Sequence, residues 1–369
     1  MKKNTPVVLK ILKRTTIALF ILVAVAFLIL WYLSPAKTSP ITDAKGQPIP
    51  NSIAVIEQPV IGGIEQSLII RGENTNNPVL LFVHGGPGMS TFPFIKEQFK
   101  EMEKLFTICY WDQRGAGKSY SGNIPPESMT LDQFKQDGVE VSQYLIKKFN
   151  QQKIYLLGHS WGAYLGSFII HEHPELYHAY IGIGQVANTP LSEQRSYDFI
   201  MGEAKKRNDR KTLATLGSLR IPTAASSSQE WYDYLWIERQ LAFEYGAARY
   251  GVKRTISHLV KPLLLCREYS ISDKLNYQPG IKFSTLHLWK EMVAKNPAEL
   301  LTTQTIPVYI FQGVHDHQTD FGVAKDYFDH LQAPLKRFYA FEFSAHNPHL
   351  EEFYTFKHII QTEVLGKKD

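Results

Sequence analysis

One stretch narrows the possible folds more than any other: residues 153–170, KIYLLGHSWGAYLGSFII. Its opening is a short apolar run of strand character. From Trp161 onward, apolar side chains recur at 161, 164, 165, 168 and 169, the i, i+3, i+4, i+7, i+8 spacing of a helix face. Between the two stands Gly158-His159-Ser160-Trp161-Gly162, a G-x-S-x-G turn. A chain that leaves a strand and at once enters a helix must bend sharply at the serine, and its neighbours must be small for strand and helix to pass. The consequence is chemical. Such a turn presents the Ser160 hydroxyl at the strand's C-terminal end, over the positive end of the helix dipole. Ser160 is therefore expected to be a nucleophile, and His159 beside it to pack away from the hydroxyl.

A serine hydroxyl is a poor nucleophile alone and needs a base and an orienting acid, which in such folds follow it in the order acid, then histidine. Asp316 comes just past the apolar run VYIF and Gly313, and His346 just past RFYAFEF. Both fall where strand ends converge, so Asp316 is expected to orient His346, and His346 to take the Ser160 proton. Asp320 and His349 are the competing acid and base. The run His315-Asp316-His317 suggests metal ligands, but adjacent ligands without a third partner make a poor site, and no metal is expected. An oxyanion also needs donors. His84-Gly85-Gly86-Pro87-Gly88 follows the run VLLFV, and the N–H groups of Gly86 and Trp161 are the expected pair; a plain Gly-Pro turn is the alternative.

Around these motifs, short apolar runs alternate with helical patterns, which implies a largely parallel sheet covered on both faces. Residues 53–58 and 66–70, split by Gly62-Gly63, predict an opening hairpin. Thr130-Leu131-Asp132-Gln133 has capping-box spacing. Residues 187–300 lack strand patterning and are rich in aromatics and helix formers, which predicts a helical cap between two halves of one α/β core, 53–186 and 301–369.

The first residues obey different rules. Residues 1–14 are basic, with no acid, and residues 17–33 form an uncharged run of 17. That run spans about 26 Å as a helix, enough to cross a thin bilayer core, and it ends in Trp31-Tyr32 as interfacial segments do. A single-pass anchor at 15–33 is expected, with the basic segment cytoplasmic and all that follows 34–52, a polar proline-rich linker, outside. A cleaved signal peptide, releasing a secreted protein, is the alternative. Without the five N-terminal basic residues, Lys+Arg and Asp+Glu balance at 35 each, so charge offers no case for a nucleic-acid partner. The two cysteines are too few for a disulfide framework. Gly115-Ala116-Gly117-Lys118-Ser119 imitates a phosphate loop, but a true one needs glycine where Asp112 stands and a helix where YSGNIPPES follows. No nucleotide is expected; Asp112 and Arg114 instead read as braces for neighbouring loops.

Taken together, the motifs resemble the α/β-hydrolase superfamily and, within it, the prolyl iminopeptidase (prolyl aminopeptidase) group of serine peptidases. H-G-G-P-G at 84–88, D-Q-R-G-A-G-K-S at 112–119 and G-H-S-W-G at 158–162 carry the resemblance, with Gly313-x-x-Asp316 and His346 at the remaining triad positions. It implies an eight-stranded, mostly parallel sheet under a helical cap, no cofactor, and release of N-terminal residues from small peptides through an acyl-enzyme. The group's elbow has glycine where His159 stands. Its cap supplies acidic residues that hold the substrate's free amine; Glu230, Glu238 and Glu244 are the candidates here, and Gly85 is a further candidate substrate contact. An esterase or acylhydrolase of small apolar esters or amides is the alternative with the same triad. Epoxide hydrolase and dehalogenase chemistries need a carboxylate where Ser160 stands.

Overall fold

The computed structural model describes residues 7–251 and 256–367. Lys2 and Lys3 of the basic segment, and residues 252–255 of the cap, lie outside them. The chain begins with helix α1 (Val7–Tyr32). Strands β1 (Ile53–Glu57), β2 (Val60–Ile61), β3 (Ile64–Glu65), β4 (Ser67–Gly72) and β5 (Val79–Val83) follow. Helix α2 (Phe92–Phe99), β6 (Thr107–Asp112), α3 (Leu131–Lys148), β7 (Ile154–His159), α4 (Trp161–Glu172) and β8 (Tyr177–Ile183) complete the first half.

The helical segment comprises α5 (Thr189–Lys206), α6 (Arg210–Ser218), α7 (Ser228–Glu244), α8 (Ile256–Leu265) and α9 (Ile271–Ala294). After the short α10 (Pro297–Leu300) come β9 (Val308–Gly313), α11 (Phe321–His330), β10 (Lys336–Phe341), α12 (Pro348–Glu351) and α13 (Phe353–Ile359).

Eight strands form one sheet in the order β1-β4-β6-β5-β7-β8-β9-β10. The expected opening hairpin is its antiparallel edge: β1 pairs β4 with Ile53 opposite Gly72, and β4 pairs antiparallel with β6. All the other pairings are parallel. Parallel strands are buried on both faces, which is why β5 reads VLLFV without polar alternation. Its side chains nonetheless divide by parity. Leu81 and Val83 join Trp111, Leu156 and the apolar faces of α3 and α4. Leu80 and Phe82 join Phe92 and Phe99 of α2 and Phe353 and Phe356 of α13 on the other side. Each side chain so buried stabilises the fold by about 1.5–3 kcal/mol relative to exposure.

α3 starts at the Thr130 cap, whose side chain accepts from the Gln133 amide at 3.2 Å. Only half of the expected box forms, because the Gln133 side chain donates to Asp137 at 2.8 Å instead. α5 to α7 share a small apolar core of their own around Ile200, Leu216 and Ala242. Trp231 and Tyr234 of α7 and Leu288 and Trp289 of α9 belong to the same buried cluster as the sheet, so the helical layer is welded to the core.

α1 stands apart. Residues 11–32 are apolar enough and long enough to cross a bilayer, and among these described residues no large side chain is buried in the protein. The stretch expected as a loose linker is laid against the domain: Arg71 donates to Thr38 Oγ1 and to Ser39 O at 2.9 Å.

Candidate active site

β7 ends at His159, and the chain turns into α4 through Ser160, whose φ of 56° and ψ of −118° put a non-glycine residue in the left-handed half of the map. Such a conformation costs on the order of 1–3 kcal/mol and persists only where its surroundings impose it. Here they do. A Cβ on Gly162 would lie 1.9 Å from Val83 O, and one on Gly158 2.3 Å from Gly162 O, so strand and helix touch backbone to backbone.

Asp316 lies in the turn after β9 and is fully buried. Its Oδ1 accepts from the amides of Gln318 and Thr319, both at 2.9 Å. Its Oδ2 accepts from Gln312 Nε2 and Thr319 Oγ1 at 2.8 Å and from His346 Nδ1 at 2.9 Å. Burial pushes this carboxyl upward, but the His346 ring and these bonds outweigh it and hold the carboxyl below its usual range. His346 sits between β10 and α12 with its Nε2 buried and without a hydrogen-bond partner among the described residues. Ser160 donates its amide to Ile183 O at 2.9 Å, and the His346 ring lies against the next residue, Gly184, where a Cβ would be 2.8 Å from Cε1. Ser160, Asp316 and His346 thus converge at the ends of β7, β9 and β10.

The competing residues are used elsewhere. Asp320 caps α11 by accepting from the Val323 amide and faces Arg195 at 3.2 Å. His349 packs among Phe99, Phe356 and His159. His315 stacks on Tyr250 and His317 on Phe199, so the two flanking imidazoles diverge from Asp316. His159 is buried, and burial lowers its ring to about 3. Its Nε2–H donates to His346 O at 3.1 Å, which ties the residue before Ser160 to the backbone of the loop that carries His346.

The glycine loop approaches Ser160 closely: a Cβ on Gly85 would lie 3.2 Å from Ser160 Cβ, and Gly86 borders the same pocket as Ser160. Gln113 joins this loop to the elbow. Its Nε2 donates to His84 O at 2.9 Å, its amide donates to His84 Nε2 at 3.2 Å, and its Oε1 accepts from Trp161 Nε1 at 2.8 Å. Burial lowers His84 to about 4, so its ring is neutral, with Nδ1–H on Gly85 O.

Residues 112–119 brace the structure as expected and do more. Arg114 makes a two-pronged pair with Asp137 at 2.9 and 3.1 Å, both side chains buried. Asp112 accepts from Ser90, from Tyr269 OH at 2.6 Å and from the Lys118 amide at 2.8 Å. Lys118 reaches Asp273 of α9 at 2.8 Å. Gly117 has φ +49°, and a Cβ there would strike Asp112 Oδ2 at 2.4 Å. The loop is a clamp between sheet and cap.

On the cap side of the pocket lie Glu193 and Arg239, with Trp289 and Met292 as its apolar wall. The Arg239 guanidinium pairs with both Glu193 and Glu238 and lies 5.6 Å over the Trp289 ring. With both glutamates ionised the three groups carry one net negative charge; burial, with Glu238 alongside, raises Glu193 to about 7 despite Arg239. Of the three glutamates expected at the substrate, only Glu238 belongs to this cluster. Glu230 is exposed and closes a capping box with Ser227, and Glu244 is exposed at the end of α7. Glu193 escaped the sequence reading because nothing in PLSEQRS marks it. Glu230 carried a signal that went unused, the Ser227-x-x-Glu230 spacing of a cap.

The chain belongs to the alpha/beta hydrolase fold family, whose model matches residues 78–353. It is 33% identical over 305 residues to a probable aminopeptidase of Bacillus subtilis, covering 83% of this chain and 94% of that protein. A proline iminopeptidase of Lactobacillus delbrueckii is 29% identical over 161 residues, 42% of this chain and 53% of that one. Among solved structures, the proline iminopeptidase of Mycobacterium smegmatis superposes with a TM-score of 0.60 at 19% identity, covering 84% of this chain and 96% of that one. An esterase from Rhodococcus superposes at 0.55 and 14% identity, covering 85% and 99%. At such identities these two share the fold alone.

Proposed function

We propose that this protein is a membrane-tethered serine aminopeptidase of the prolyl iminopeptidase type. Ser160 Oγ attacks the carbonyl of the substrate's first residue while His346 Nε2 takes its proton and Asp316 holds the imidazole through Nδ1. The N–H groups of Gly86 and Trp161 receive the oxyanion. His346 then protonates the leaving amine, and water, deprotonated by the same nitrogen, releases the first residue from the acyl-enzyme.

The observation that carries the reading is the charge of the cap wall. With Glu193 ionised, Glu193, Glu238 and Arg239 leave one net negative charge beside the pocket that Ser160 enters, which suits the single ammonium of a free N-terminus. Its direct test is hydrolysis of alanyl- and prolyl-aminomethylcoumarin. Ser160→Ala is expected to lower kcat by about 10⁶-fold. Turnover of p-nitrophenyl esters with no aminoacyl amide cleavage would instead favour an esterase.

Single-pass topology with the catalytic domain outside the cytoplasm rests on the unburied apolar helix and on Lys10, Lys13 and Arg14 at its N-terminal side. Resistance to carbonate extraction, with protease accessibility from outside, tests it.

A further inference from the structure

We infer that the corner of the cap formed by α8 and the start of α9 rests on the surface of the bilayer that α1 enters; the inference stands on the anchor reading above. The first observation is where the anchor ends. Lys274 Nζ donates to Leu33 O, to Ser34 Oγ and to Leu264 O, each at 2.8 Å. The Lys37 amide donates to Arg267 O at 3.2 Å, and the Arg267 guanidinium lies 5.3 Å over the Tyr32 ring. The chain therefore meets the cap within one or two residues of leaving α1, a reach of about 7 Å at most.

The second observation is what that corner exposes. Val260 and Leu264 lie one helical turn apart on α8, at 43% and 40% exposure, followed by Leu265 at 46%. Leu275, beside the pinning lysine, is 69% exposed. Lys274 bonds both Leu264 and the end of α1, so this apolar patch adjoins the point of membrane exit. No described segment of the chain covers it. Lys261, which is exposed, and Arg267 stand beside it, cations whose stems can lie along apolar surface while their heads reach headgroup phosphates, and the neighbouring acids Glu268 and Asp273 are already paired with Lys96 and Lys118. Exposed aliphatic side chains with two cations near them, beside an aromatic-flanked span, match the headgroup–acyl boundary. Because α1 already holds the corner at the membrane, shallow insertion suffices, as any linked second contact is made at high effective concentration.

The arrangement sets where the enzyme works. α9 runs from Lys274 to Trp289 and Met292 on the pocket wall. At 1.5 Å per residue that separation is about 27 Å at most, so the pocket wall lies within about 27 Å of the point where α1 ends.

The test uses the full chain in vesicles of phosphatidylcholine and phosphatidylglycerol. Leu265→Cys, Leu275→Cys and Leu300→Cys are each labelled with NBD; the two native cysteines are buried, and Leu300, 53% exposed, lies past the far end of α9. Aminoacyl-amide turnover and labelling by a fluorophosphonate monitor folding of each variant. Doxyl lipids should quench the labels at 265 and 275 at least about twofold more than the label at 300, with iodide quenching in the reverse order. Equal iodide quenching at all three, with the chain still resistant to carbonate, would overturn the docking and leave the anchor standing. Labels at 265 and 275 shielded from both quenchers would overturn it too, assigning the face to a second copy or another protein. Release of the chain by carbonate would remove the anchor and the inference together.

Discussion

The two walls of the pocket are built on opposite principles. The sheet wall consists of loops at strand ends, where Asp316 receives five hydrogen bonds and Ser160 is held in a strained turn by backbone contacts. The cap wall is a charge cluster between two helices, Glu193 from α5 against Glu238 and Arg239 from α7. On the function proposed above, the first wall faces the reacting carbonyl, which every substrate shares. On the same proposal, the second faces a charge that only some substrates carry. A substitution in the sheet wall should therefore reduce turnover of any acyl compound, and one in the cap wall should discriminate between compounds.

Asp316→Asn gives the largest separation. It should lower kcat by about 10⁴-fold on amides and esters alike, through loss of the correct imidazole tautomer, with little change in KM. Glu193→Gln should raise KM for alanyl or prolyl amides by about 10- to 100-fold, the worth of a charge-assisted bond, while p-nitrophenyl ester turnover changes by less than about twofold. An equal loss on esters would break the comparison. A pH profile sharpens it. With Glu193 raised to about 7, KM for free-amine substrates should fall as pH rises through that value, and the limb should vanish in Glu193→Gln. The sign for folding is opposite: the folded state holds this proton more tightly than the unfolded chain. Its contribution to stability is full below the ordinary carboxylate range and is lost as pH rises toward about 7. The smallest effect belongs to the clamp between the walls. Tyr269→Phe removes a donor to Asp112, should cost about 1–2 kcal/mol, and should lower Tm by a few degrees in a thermal melt with unchanged KM.

How much of this was legible beforehand follows from how far apart the cooperating residues lie. The parallel sheet was written in apolar runs such as VLLFV and KIYLL, because burial on both faces removes polar alternation. The elbow was written in five consecutive residues. Asp316 and His346 were legible because each follows a strand, and strand ends in a parallel sheet converge without further instruction. The phosphate-loop lookalike at 115–119 could be rejected on spacing, yet its function as a clamp was hidden: Tyr269 and Asp273, which it grips, arrive from the cap. Glu230 and Glu244 are candidates only because the resemblance asks for acidic residues in the cap, and no spacing shows that both are exposed, one capping α7 and the other at its end.

The α/β order of elements, the sharp turn at Ser160 and the apolar helix near the N-terminus can be read from the chain alone, because all are properties of contiguous segments governed by local backbone geometry and hydrophobic periodicity. Which carboxylate lines the pocket and which stands behind it, what Gln113 and Asp112 bind, and how Lys274 seats the end of α1 on the cap all depend on tertiary packing. Those contacts join residues dozens to hundreds of positions apart. Their energies depend on desolvation and distance, and neither exists until the helices have packed.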